Sequence, residues 1–290
     1  MKKLFNWKIK ENPEDFIVKE VAHFTCDEKG KHNLYLLIKR NLNTKEISSK
    51  LNLSYAGLKD KNALTFQYVS SEGFLGKTVF ARIDKESFYS LVYLGKITKK
   101  IKIGNLEGNK FSVSLKNVSV HLKDFLINYF DTQRIENNWE RGAEILLSDK
   151  KNSSWLDRFL IDAFLSYLWN KALEEMLKDY FEGYYLVDRN ISFFIPDTDY
   201  SSLWENFPKF LPIPGYKIRF SQVEKDYYEK VLKPFNLNLS DFLFILRKRR
   251  IKGDYRKTFV KPENVYTKGK RLYFYLPKGS YGSMYLKHCF

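Results

Sequence analysis

The stretch Ala56-Gly57-Leu58-Lys59-Asp60-Lys61-Asn62-Ala63-Leu64-Thr65-Phe66-Gln67 places one carboxylate between two lysines, just after a glycine, and then enters an apolar, strand-like segment. Neighbouring positive charge favours the ionised form of a carboxylate. An ionised Asp60 is suited to act as a nucleophile or base towards a polyanionic substrate. On the local string alone a solvated charged turn is an equal reading, because turns favour Gly and Asp.

The rest of the chain has the composition such a substrate requires. Its 290 residues carry 50 Lys plus Arg against 34 Asp plus Glu, a formal net charge of +16. That excess points to nucleic acid first and an anionic membrane surface second. No apolar run approaches the roughly eighteen residues of a membrane span, and the basic residues are spread along the whole length. Met1-Lys2-Lys3-Leu4-Phe5 is followed at once by Asn6 and charge, with no apolar leader segment. Nucleic acid is therefore the expected partner, with no membrane. The 24 Phe and 20 Tyr interleave with Lys and Arg, which suits base stacking with phosphate neutralisation, although most such rings belong in a core. Cys26 and Cys289 lack a CxxC spacing, so a reducing cytoplasm and no zinc site are expected. His23, His32, His121 and His288 show no ligand spacing, and no metal is expected.

Elements must bring Asp60 to its partners. Phe16-Ile17-Val18-Lys19-Glu20-Val21 has strand character after the Asn12-Pro13 turn signal, with Phe16, Val18 and Glu20 on one face. A second strand is expected over 32–39, then a short helix capped by Thr44, then a strand through Val69. Alternation over 110–116 puts Asn109, Phe111, Val113 and Leu115 on one face. The centre changes period: Leu122, Phe125, Leu126, Tyr129 and Phe130 recur at helical spacing, and Ser154 with Asp157 opens a long helix. From Gln133 to about Leu246 a mainly helical segment is expected, with loops around Pro196, Pro208, Pro212 and Pro214. Strand character returns after the basic run Arg247-Lys248-Arg249-Arg250.

Segments far from Asp60 then narrow the choice. They are Lys10-Glu11-Asn12-Pro13-Glu14-Asp15-Phe16, Gly108-Asn109-Lys110-Phe111, Asn128-Tyr129-Phe130 with Gln133-Arg134, Gly253-Asp254-Tyr255-Arg256, and Leu276-Pro277-Lys278-Gly279-Ser280-Tyr281. Together, in this order and with the Lys-Asp-Lys string, they resemble the TruD family of tRNA pseudouridine synthases over essentially the whole chain. The resemblance implies isomerisation of uridine to pseudouridine in tRNA, at position 13, without a cofactor. It implies that Asp60 starts breakage of the N-glycosidic bond, either as a covalent adduct or through a glycal route. It places Lys10 near that carboxylate, Phe16 against the target base, and Asn109 and Phe111 in the same pocket. A base must leave its stack to be isomerised, so a stacking ring is expected. Lys59, Lys61 and Arg256 are candidates for RNA phosphates, as is the 247–250 run, with a solvated face the bland alternative for each. Glu20 pairs with a nearby cation or makes a plain surface salt bridge.

Four positions depart from the family pattern: Asp131 for a glycine, Gly282-Ser283 for Ala-Thr, and Lys116 for an arginine. The expected fold is α+β, a pseudouridine-synthase catalytic domain with a mixed or antiparallel sheet. Residues 1–129 and 248–290 would form it, with a mainly helical TRUD domain inserted over 130–247. Two other readings stand beside this one: a synthase of the same family acting on another uridine, and a non-catalytic RNA-binding protein.

Overall fold

Phe16, Val18 and Glu20 are buried in the strand Phe16–Val21 while Lys19 is exposed, as period-2 geometry requires. The computed structural model of the protein describes residues 1–116, 118–148 and 154–290. The Phe16–Val21 strand belongs to a nine-stranded mixed sheet. Across it run Glu263–Lys268, Arg271–Pro277, Gly108–Ser114, Phe16–Val21, Leu64–Ser71, His32–Arg40, Phe88–Ile97 and Thr78–Arg82, with the short Ser54–Tyr55 also paired to Leu64–Ser71. Every pairing is antiparallel except that of Phe16–Val21 with Leu64–Ser71. Parallel neighbours start at the same end of a sheet. With Ile17 opposite Leu64, the segments preceding these two strands arrive side by side. One carries Lys10 and the other Asp60.

The helix Thr44–Leu51 lies in the crossover between the parallel strands and buries Ile47 against Tyr35, Leu37, Val69 and Leu91. Its cap is Asn43, whose side chain accepts from Lys45 N, and not Thr44 as the sequence indicated. Thr44 is the first helical residue and turns its hydroxyl inward. Gly108 begins its strand opposite Pro277. A Cβ there would lie 2.3 Å from the Leu276 carbonyl oxygen, so the close approach of these strands requires glycine just before Asn109.

This sheet, over Trp7–Val120 and Pro262–Ser280, is one of two compact units; the other is Met1–Asn6, His121–Lys261 and Tyr281–Phe290. The division expected at 129/130 and 247/248 thus falls at 120/121 and 261/262, and both ends of the chain belong to the second unit. The long helix Trp155–Tyr180 opens on the expected capping box of Ser154 and Asp157 and is buried along most of its length from Leu160 to Leu177. Shorter helices surround it at Thr132–Ile135, Trp139–Leu147, Tyr200–Asn206, Gln222–Leu232, Leu239–Lys248 and Gly282–Cys289.

The central segment is mainly helical, as expected, but it also holds a hairpin of Gly183–Asp188 and Ile191–Pro196, with which Lys2–Leu4 pairs in parallel. One expectation fails in this unit. Leu126–Ile127 is a short strand paired with Phe259–Val260, not part of a helix. Residues 125–130 are all buried, so their apolar spacing reflects burial on every side and carries no period.

Candidate active site

Asp60 lies in the bend between Ser54–Tyr55 and Leu64–Ser71, its side chain 18% exposed. No strand includes residues 59–61, and the Lys59 side chain is buried while Lys61 is exposed, so the two lysines do not share a side. One carboxylate oxygen accepts from Asn62 N at 3.0 Å, and the other is ion-paired with the Lys10 ammonium. The carboxylate is therefore held at both oxygens, by a local turn and by a residue fifty positions away. Lys39 approaches from below, its Nζ donating to the Asp60 backbone carbonyl at 2.7 Å.

Lys59 points the other way. Its ammonium is ion-paired with Glu20, with both side chains almost fully buried. The second Glu20 oxygen accepts from Tyr68 N at 3.2 Å. Thr44 Oγ1 donates to Gln67 Oε1 at 2.9 Å, and Gln67 Nε2 donates to the Gly57 carbonyl at 3.3 Å. These bonds fix the path of the 57–60 turn from beneath. Lys59 is thus a structural cation and not a free phosphate ligand, which corrects that expectation. Lys61 is exposed. Lys116, an arginine in the family pattern, pairs with Glu11 and, at 3.0 Å, with Asp15, so it clamps the turn that follows Lys10.

The expected rings come together. Phe16 and Phe111 have centroids 5.8 Å apart, and Phe111 stacks on Phe274 at 4.9 Å. Both Phe16 and Phe111 are buried. The Lys10 ammonium lies 4.2 Å from the Phe16 ring centroid, so one lysine touches both the carboxylate and the aromatic cluster. Asn109 stands opposite Glu20 and Leu276. Its Oδ1 is buried with no hydrogen-bond partner among the described residues, an open acceptor.

Arg256 belongs to the other compact unit. Its Nε donates to the Asn128 carbonyl at 2.8 Å, and its guanidinium lies 4.0 Å from the Phe130 ring centroid and 5.4 Å from that of Trp169. Burial lowers its pKa to about 10. It locks backbone and rings, which corrects its assignment as a phosphate ligand. Arg249 likewise donates to the Ile145 carbonyl at 3.0 Å, while Arg247, Lys248 and Arg250 are exposed. Tyr129 is buried and donates to the Phe194 carbonyl at 3.0 Å, a packing role. Two departures from the family pattern are partners: Ser283 donates to Asp131, which is also ion-paired with buried Lys287. A pocket in this unit, lined by Trp139, Tyr167, Asn170, Glu174 and Phe193 among others, contains none of the candidate residues.

Lys39 was not singled out from sequence. The signal for it was present: it falls in step with Tyr35 and Leu37, so the alternation that buries those residues buries a lysine too. A charge on the inward face of a strand asks for a reason.

The family profile of tRNA pseudouridine synthase D (TruD) matches residues 3–136 and 150–289. The chain is 24% identical to a protein of Nanoarchaeum equitans named probable tRNA pseudouridine synthase D, over 98% of each chain. It is 28% identical to the tRNA pseudouridine synthase D of Wolinella succinogenes, over 96% of this chain and 92% of that one. A crystal structure named for the same enzyme, from Methanosarcina mazei, shares the fold with a TM-score of 0.60 at 19% identity, covering 97% of this chain and 92% of that one.

Proposed function

The chain belongs to the TruD family of tRNA pseudouridine synthases, isomerases that convert uridine to pseudouridine, and we propose that it acts on uridine 13 of tRNA with Asp60 initiating cleavage of the N-glycosidic bond. The observation that carries the assignment is the contact of Lys10 with both the Asp60 carboxylate and the Phe16 ring. It joins the one candidate nucleophile to the ring proposed to receive the flipped base. In this reading Lys10 orients the ionised carboxylate, and a base stacking on the face Lys10 covers would displace the ammonium from the ring. The open Asn109 Oδ1 would accept from a donor on the uracil edge, which would satisfy a buried acceptor left without a partner among the described residues. The nine-stranded sheet unit would be the catalytic domain and the other unit the TRUD domain. A cytoplasmic location follows from the substrate.

Incubating the protein with unmodified tRNA, followed by carbodiimide or mass-spectrometric mapping, tests this. Pseudouridine is expected at position 13 with the wild type and at no position with Asp60→Asn. Product formed by Asp60→Asn at the wild-type rate would remove Asp60 from the chemistry, and product at another uridine would reassign the target.

A further inference from the structure

Cleavage of the glycosidic bond moves a negative charge. If Asp60 attacks C1′ it becomes an ester; if it takes the C2′ proton it becomes a carboxylic acid while a C1′–C2′ double bond forms. By either route the C1′–N1 electron pair leaves with uracil as its anion, and the carboxylate ends neutral. The return step, attack of uracil C5 on C1′, restores the charge to Asp60, as the ester bond breaks or the proton returns to C2′; transfer of the C5 proton to solvent and protonation of N1 then complete the isomerisation. During the interval an anionic base, held by no covalent bond, must stay in the site beside a carboxyl group that no longer repels it.

Lys10 and Lys39 contact Asp60 and Lys59 adjoins it in the chain, and the three ammonium groups differ in what else they bind. Lys59 is neutralised by Glu20. Lys10 is partly exposed and bonded to the carboxylate itself. Lys39 is 0% exposed, makes one hydrogen bond, to the Asp60 backbone carbonyl, and forms no ion pair among the described residues. Its cross-strand neighbours are Thr65 and Tyr89, neither of which brings a carboxylate. A fully buried ammonium without a bonded counter-ion is costly, and such groups cluster where charge is used.

We propose that Lys39 is a positioning residue for this reaction, holding the Asp60 main chain and supplying the fixed positive charge that retains the detached uracil anion while Asp60 is neutral. The inference rests on Asp60 being the reacting carboxylate. Lys39 keeps its hydrogen bond throughout, so its charge is present without reorganisation when it is needed. Burial lowers its pKa to about 8, against the opposing pull of Asp60 and with Lys59 and Lys10 adding to the effect. The positive charge is therefore lost as pH rises through about 8.

Lys39→Met removes both the charge and the hydrogen bond, and Lys39→Gln retains an amide donor without the charge. With unmodified tRNA, both variants are expected to lower kcat by roughly 100-fold. Substrate affinity should stay near the wild-type value, and the fall in kcat through about pH 8 that the proposal expects of the wild type should be absent from both variants. A wild-type rate for Lys39→Gln would assign everything to the hydrogen bond and overturn the proposal, as would a loss of tRNA affinity parallel to the loss of rate. Should neither variant fold by circular dichroism, the wild type decides: a kcat constant from about pH 7 to about pH 9.5 overturns the proposal. Asp60→Asn assayed alongside separates the two readings, because an active Asp60→Asn removes the premise and not only the role of Lys39.

Discussion

The Lys59 ammonium and the Glu20 carboxylate form an ion pair whose side chains are 5% and 0% exposed, within a string that presents lysine beside the candidate nucleophile. Breaking a buried pair from one side leaves an uncompensated charge, at a cost of about 3–5 kcal/mol. Glu20→Ala and Lys59→Met are each expected to lose about that much in urea denaturation. Glu20→Leu combined with Lys59→Met should recover most of it, because two apolar groups leave no stranded charge. Costs that simply add in the double variant would show that the two side chains are not coupled.

Arg256 and Lys61 separate structure from electrostatics. Arg256→Met removes the donors to Asn128 and the cation packed on Phe130 and should cost about 2–4 kcal/mol. It should leave the salt dependence of tRNA binding unchanged. Lys61 is exposed, and Lys61→Ala should leave stability within about 0.5 kcal/mol. If Lys61 neutralises a phosphate, that variant lowers the slope of log affinity against log salt by about 1. Titrating tRNA into each variant at several salt concentrations gives both slopes, and a reduced slope for Arg256→Met would reinstate it as an RNA contact.

His288 should govern stability in mild acid. Burial lowers its pKa to about 4 from 6.5, and its ring accepts from Ile127 N at 3.1 Å while meeting the Met284 carbonyl at 2.8 Å. The neutral ring is thus the folded form, protonated at Nδ1. The unfolded chain takes up a proton below about pH 6.5 and the folded chain only near pH 4. Stability from this group is complete above about pH 6.5 and falls towards pH 4, by about 3 kcal/mol in all. Denaturation midpoints at a series of pH values should lose that portion of their slope in His288→Gln, and an unchanged slope would place the titration elsewhere.

Much of the sheet was legible. Phe16, Val18 and Glu20, and likewise Asn109, Phe111 and Val113, alternate cleanly because one face of each strand is buried and the other is not. The gathering of Asp60, Lys10, Phe16 and Phe111 was legible through the family string and not through local periodicity, because they come from separate segments of the chain. The failures have physical causes. Residues 125–130 are buried on all sides, so no period survives in them. The hairpin Gly183–Pro196 turns through Arg189 at φ 55° in place of an Asn-Gly or Asp-Gly pair, and Arg189 is tied to Glu136 at 2.5 Å. Its turn signal is tertiary, not local. Arg256, Lys59 and Lys39 share one lesson: sequence shows that a residue is cationic, but only packing shows whether its charge faces solvent or the interior.

The strand Arg271–Pro277 completes the sheet beside Gly108–Ser114, and Phe274 within it stacks on Phe111. On the ribosome this strand emerges after the whole 121–261 segment, while Asp60, Lys10 and Phe16 emerge early. Until then the Gly108–Ser114 strand has one unpaired edge and its aromatic column lacks its third ring. Non-local pairings of this kind form slowly and leave partly folded chains prone to association. The nascent enzyme therefore completes this sheet only after Pro277 has emerged, and a chain stalled before Arg271 is expected to be both inactive and sticky.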